Sequence, residues 1–147
     1  LIVRQATVSD LTTLVPLFDA YRQFYGRPSD QNGARSFLRD RFEHQQSIIL
    51  VASEGCEVVG FTQLFPTFSS VRLARTFVLN DLYVLPSARG TGAGRALLDG
   101  ACEYGRSVGA ARLSLSTSVS NATAQSLYEQ AGWIREADFY TYGLALT

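Results

Sequence analysis

A mixed α/β fold is predicted by three features of the chain. Short β-rich runs such as IILVAS and EVVGFTQLF are bounded by turn residues. Between other segments, apolar residues recur at helical spacing. One strand runs through a glycine-rich turn directly into a helix. The order read along the chain is β-α-α-β-β-β-α-β-α-β-β. It predicts one domain over residues 1–147: a six- to seven-stranded mixed sheet with about four helices on its faces.

Ile2–Gln5 reads as a short strand. Ser9 reads as the N-cap of the first helix, with Asp10 in its first turn. Leu11, Leu14, Leu17, Phe18 and Tyr21 follow on one stripe. Pro16 lies inside that run, where it removes a backbone donor, and a kink or break is expected. GRPSDQNG is turn-rich. Ala34, Phe37, Leu38 and Phe42 mark a second amphipathic helix.

Ile48–Ser53 and Glu57–Phe65 are strands joined at Glu54–Gly55, an antiparallel hairpin. Thr76–Val84 is another strand, ended by Pro86. The helix after the glycine turn runs to about Val108, with Gly109 as its C-cap. Arg112–Ser116 is a strand and Asn121–Ala131 a helix stopped by Gly132. Ile134–Ala137 and Phe139–Leu146 read as two closing strands.

Composition excludes several classes. Thirteen basic residues balance thirteen acidic ones, which gives no general reason to bind nucleic acid or an anionic membrane. No run of 18 apolar residues suggests a membrane span. His44 is the single histidine, which argues against a metal site built on several histidines and against a serine–histidine–carboxylate triad. No metal is expected. Cys56 and Cys102 lack CxxC spacing and fit reduced thiols. The opening residues do not spell a basic, apolar leader, so the expected location is cytoplasmic. All thirteen basic residues are arginine.

The segment LPSARGTGAGRALL carries the strongest chemical signal. Strand, glycine turn, helix is an anion-binding arrangement, because amides at a helix start lack intrahelical partners and the dipole favours negative charge. A surface turn with convenient glycines is the plain alternative. A triphosphate loop needs Lys-Ser or Lys-Thr after its last glycine, and Arg95-Ala96 stands there. A dinucleotide loop needs GxGxxG, and Gly90, Gly92 and Gly94 spell GxGxG.

The spelling that fits is Arg-x-x-Gly-x-Gly at Arg89, Gly92 and Gly94. It resembles the pyrophosphate motif of the GNAT family of N-acetyltransferases. LNDLYVLPSARG resembles that family's central strand and turn. NATAQSLYEQAGW, Asn121–Trp133, resembles its Asn-x-x-Ala-x-x-x-Tyr-x-x-x-Gly-Phe/Trp helix. The likeness covers about Leu79 to Trp133, and the histone and polyamine acetyltransferase branch looks nearest.

What the resemblance implies is acetyl transfer from acetyl-CoA to a primary amine of a polyamine, a small molecule or a protein lysine. Main-chain groups of Leu82, Tyr83 and Val84 would hold the pantetheine. Amides of Arg89, Gly90, Thr91, Gly92, Ala93, Gly94 and Arg95 would hold the pyrophosphate. Asn121 has two compatible readings, N-cap of its own helix and pantetheine ligand. Tyr128 would give a proton or hydrogen bond to the departing thiolate, the alternative being a core tyrosine beside Trp133. Asn80 and Asp81 are polar residues in the apolar run FVLNDLYVL, where buried polar groups need a reason. Asp81 is the candidate base, through water, or else the anchor of a bulge. Asn80 stands where the polyamine branch carries an acid at or beside that position, and Asn cannot act as a base.

On the acceptor side, Tyr21, Phe24, Tyr25 and the FPTFSSVR turn are candidates, with ordinary packing as the alternative for each. Asp19, Asp30 and Asp40 are balanced by Arg22, Arg27, Arg35 and Arg39, so the first helices make no evident acidic groove. An acceptor with its own carboxylate stays open. A homodimer through the C-terminal strands is implied by the family. A non-catalytic acyl-CoA sensor on the same fold is the competing reading.

Overall fold

The computed structural model describes residues 1–147. It is the mixed α/β fold expected, with five strands and four helices. Contacts divide the chain into two compact units, Leu1–Ser116 and Thr117–Thr147.

The first unit runs β1 (Ile2–Gln5), α1 (Leu11–Phe24), α2 (Gln31–Glu43), β2 (Ile48–Glu54), β3 (Glu57–Ser69), β4 (Ala74–Val84), α3 (Ala93–Ser107) and β5 (Arg112–Ser114). Sheet order is β1-β2-β3-β4-β5. The first three pairings are antiparallel and β4–β5 is parallel. The helices α1 and α2 cover one face. Tyr21 of α1 packs its ring on Phe61 and Tyr83 at centroid distances of 5.8 and 6.1 Å. Leu14, Val15, Leu17, Phe18 and Leu38 bury against Ile49, Val51 and Phe61 there. The other face belongs to α3. A side chain at Gly60 would press on Leu97 at 3.3 Å, and Phe77 meets Tyr104 edge-on at 5.7 Å.

Local chemistry explains the boundaries and corrects some expectations. A single 3-10 turn, Val8–Asp10, precedes α1, and Asp10 rather than Ser9 is its N-cap residue. The Asp10 carboxylate accepts from the Thr7 amide at 2.8 Å and pairs with Arg4 at 2.8 Å. Helix α1 runs without a break through Pro16. Thr12 and Pro16 are both exposed, so the carbonyl that loses its partner belongs to the solvent side of the helix. The FPTFSSVR segment is mostly strand: β3 continues to Ser69 and only Ser70–Leu73 turn.

In the second unit, α4 (Ala122–Gln130) starts at Asn121, whose side chain accepts from the Ala124 amide at 3.1 Å. Gly132, at φ +92°, ends the turn that follows. Residues 134–147 form no strand, so the two closing strands of the sequence reading are absent. Their alternating apolar residues are nearly all exposed, Tyr142 at 91% and Leu146 at 89%. Alternation supplies the faces of a strand but not the neighbouring strand that must take its amides and carbonyls.

Candidate active site

The site begins with an irregularity in β4. Gln63 lies opposite Asp81, while the next residue, Leu64, lies opposite Leu79. Asn80 is therefore the extra residue of a β-bulge. Strict alternation would put Phe77, Leu79, Asp81 and Tyr83 on one face. The bulge breaks that sequence. Phe77 and Leu79 face α3, and Asp81 and Tyr83 face α1 and α2, with Gln63 and Phe61 as cross-strand neighbours.

Asp81 is buried, with 6% exposure, and Gln63 is fully buried. Gln63 Nε2 donates to Asp81 Oδ2 at 2.6 Å and Asn80 Nδ2 donates to Oδ1 at 3.0 Å. Ser47 holds the other end of the Gln63 amide at 2.8 Å. All donors to the carboxylate are neutral, and no salt bridge reaches it.

Asp81 lines a cavity of about 380 Å³ between β4 and the two N-terminal helices, with Phe18, Arg22, Asp30, Phe37 and Phe65 among its walls. Its rim is fixed by Asp19, which is itself buried. The Asp19 carboxylate accepts from Ser29 Oγ at 2.7 Å, the Asp30 amide at 2.8 Å and Gln23 Nε2 at 3.1 Å. The Ser29 hydroxyl first, then the Asp30 amide, hold the Asp19 carboxyl below the usual carboxylate range. Asp30 in turn caps α2 through the Gly33 amide at 2.8 Å. A side chain at Gly33 would collide with that carboxylate.

Of the residues expected on the acceptor side, Asn80 and Phe65 of FPTFSSVR line this cavity, and Tyr21, Phe24 and Tyr25 do not. The Tyr21 hydroxyl reaches the Asn80 carbonyl at 3.4 Å. Tyr25 is exposed and packs edge-on against Tyr21 and Phe24. Sequence reasoning assigned no place here to Phe18, Arg22, Phe37 or Gln63. Gln63 carried a signal like that of Asn80 and Asp81, a polar residue inside VVGFTQLF.

Beyond the bulge, β4 has an open edge. The ladder to β5 covers only Thr76–Val78. The Leu85 amide bonds the Val59 carbonyl at 2.8 Å, so by alternation Tyr83 also turns its backbone groups to β3. Leu82 and Val84 turn theirs outward. Of the three residues expected to hold pantetheine, Tyr83 thus has its main chain engaged within the sheet.

Next along the chain lies the glycine turn. Gly90 and Gly92 have φ of +77° and +90°, left-handed values that suit glycine, with open space where a Cβ would stand. Gly92 is the N-cap of α3 and brings no side chain to cap the amides of the first turn. Thr91 Oγ1 donates to the Ala88 carbonyl at 2.5 Å and tightens the turn. Both arginines of the turn have local partners. Arg89 folds back, donating from Nε to the Val84 carbonyl at 3.1 Å with its guanidinium over Tyr83 and Phe24. Arg95 pairs with Asp99 at 3.0 Å.

Asn121 and Tyr128 belong to the second unit. Asn121 is the N-cap described, which engages its oxygen and leaves the amide nitrogen as donor. The half-buried Tyr128 packs on Trp133 at a centroid distance of 6.4 Å. Burial pushes the Cys102 thiol up, which argues against an activated nucleophile there, and Cys56 is exposed. No helix is long and apolar enough to cross a membrane.

Residues 14–133 match the profile of the family described as Acetyltransferase (GNAT) family. Over 142 residues the chain is 49% identical to the uncharacterized N-acetyltransferase YhfO of Bacillus subtilis, covering 97% of this chain and 95% of that one. The crystal structure of a probable acetyltransferase superposes with a TM-score of 0.95 at 39% identity, over 100% of this chain and 99% of the other. A ribosomal-protein-alanine N-acetyltransferase from Brucella melitensis shares the fold, with a TM-score of 0.82 at 21% identity over 99% of this chain and all of that one.

Proposed function

Because the chain belongs to the GNAT family of acetyltransferases, we propose that it transfers an acetyl group from acetyl-CoA to the primary amine of an acceptor. One observation carries the donor's identity. Helix α3 opens on left-handed Gly92, which offers no capping side chain, immediately after a strand whose ladder to β5 ends at Val78. Those two features suit the two halves of coenzyme A. The amides from Gly90 to Arg95 bind the pyrophosphate in the dipole of α3. Outward groups of Leu82 and Val84 bind the pantetheine amides as an added strand would. Arg89 covers the Val84 carbonyl and swings aside when that carbonyl is used.

Acetyl-CoA supplies the acetyl group as an activated thioester. The chain's residues manage the protons. A new N–C bond forms as the C–S bond breaks. The amine gives up a proton, which Asp81 takes through water, and the sulfur gains one from the Tyr128 hydroxyl. The Asn121 amide donates to the pantetheine region. Support for Tyr128 and Asn121 is the motif they share with the family. Support for Asp81 is its buried carboxylate at the bulge, which no salt bridge reaches.

The family match spans both units, and we assign the whole chain, 1–147, to one N-acetyltransferase domain. Reduced thiols fit a cytoplasmic enzyme. The exposed apolar residues of 134–147 fit a homodimer in which a second copy supplies the strand partner this segment lacks. Thermal melts test the donor: CoA should raise the Tm well above any shift given by ATP or NAD, and a larger ATP or NAD shift would overturn the assignment.

A further inference from the structure

We infer that the acceptor is a small amine carrying its own anionic group, an amino-acid-like zwitterion with an apolar body, rather than a polyamine. The inference rests on the acetyl-transfer reading of the same site and concerns what the cavity beside Asp81 selects.

The cavity, about 380 Å³, lies in the range of small-ligand pockets, roughly 300–1,000 Å³. Its charges are of both signs. Asp81 offers a buried carboxylate held by neutral donors alone. Asp30 is partly spent as the cap of α2. Arg22 is the cation on the wall. It makes one long hydrogen bond, 3.5 Å to the Pro28 carbonyl, and no salt bridge. Asp19 is near enough that the Arg22 charge helps to lower its carboxyl, but it forms no bridge with Arg22, and three neutral donors hold that carboxylate. A guanidinium carries five donors in a fork that matches a carboxylate, so most of the recognition capacity of Arg22 is unspent. An ammonium group placed against Arg22 would be repelled. An anionic group would be bound. Phe18, Phe37 and Phe65 supply apolar wall in the same cavity. The acceptor's amine then lies toward Asp81 and its anion toward Arg22.

Matched probes test this by calorimetry on the full chain with CoA bound: L-phenylalanine against phenethylamine, and L-leucine against 3-methylbutylamine. The carboxylated member of at least one pair should bind roughly tenfold or more tightly, the ratio one charge-assisted hydrogen bond supplies. Arg22→Gln should abolish that preference with CoA affinity unchanged, and Arg22→Lys should restore part of it. Equal or stronger binding of both plain amines, binding of none of the four, or a preference that survives Arg22→Gln overturns the inference. A preference that disappears with Arg22 while no amine is acetylated would retain the pocket assignment and overturn the acetyl-transfer reading instead.

Discussion

Gln63 donates to Asp81 across the β3–β4 ladder at 2.6 Å, and both side chains are withdrawn from solvent. This pair joins the bulge to the cavity: the same register shift that makes Asn80 the extra residue turns Asp81 toward it. Gln63→Leu should leave the Asp81 carboxylate and the Ser47 hydroxyl each short of a partner. A buried group so stranded costs about 1–3 kcal/mol. Urea unfolding should show that loss, with acetyl transfer reduced and CoA affinity kept. An unchanged unfolding midpoint would remove Gln63 from this role.

Tyr128→Phe keeps the ring packed on Trp133 and removes only the hydroxyl. Loss of proton donation should lower kcat by well over tenfold, within the range of about 10²–10⁴ for general acid catalysis. CoA affinity, measured by calorimetry, should stay within about twofold, since one hydroxyl lost from the reacting centre removes little ground-state binding. An unchanged kcat would take Tyr128 out of the mechanism.

Local patterns made α1 to α4 and the first hairpin legible, because helical stripes, caps and turn glycines are written within a few residues of each other. The glycine turn was legible for the same reason: Gly90 and Gly92 take the left-handed angles that their spelling implies. The polar pair Asn80–Asp81 announced a bulge. Which face Asp81 would occupy depends on its register with Gln63, 18 residues away, and no local window contains that. Arg22 and Phe65 meet around one cavity only because α1 packs across β3. The missing closing strands had the opposite cause. Their alternation is strand-like, but a strand also needs a neighbour, and periodicity does not provide one.

Gly92→Ala would force an L-residue to φ near +90° in otherwise open space. Left-handed backbone costs a residue with a Cβ about 1–2 kcal/mol. Unfolding should therefore shift by that amount, or CoA affinity should fall as α3's first turn rearranges to escape the strain. A variant with wild-type stability and wild-type CoA affinity would contradict the assigned geometry.

Asp19 gives an acid-range prediction. Its folded carboxyl is held below the unfolded value of about 3.9, chiefly by Ser29 and the Asp30 amide. The stability it contributes is fully present above that unfolded value and is lost as pH falls through the lower, folded one. Asp10, held down by Arg4, acts in the same window, so the comparison must isolate Asp19. Asp19→Asn should be less stable than wild type at neutral pH, with the difference shrinking below about pH 4. A gap that stays constant with pH would mean the carboxylate charge is not what holds the 25–30 loop.

The most direct measurement is mass spectrometry of amines incubated with the protein and acetyl-CoA, with free CoA thiol counted in the same reaction. The chain contains no lysine, so side-chain lysine acetylation found there lies on another molecule. The expected result is one acetylated primary amine per CoA released, strongest for an amino-acid-like acceptor and lost in Tyr128→Phe. Tight CoA binding with no acetylated amine and no thiol release across amino acids, polyamines, aminoglycosides and histone peptides would contradict it and support a non-catalytic acyl-CoA sensor.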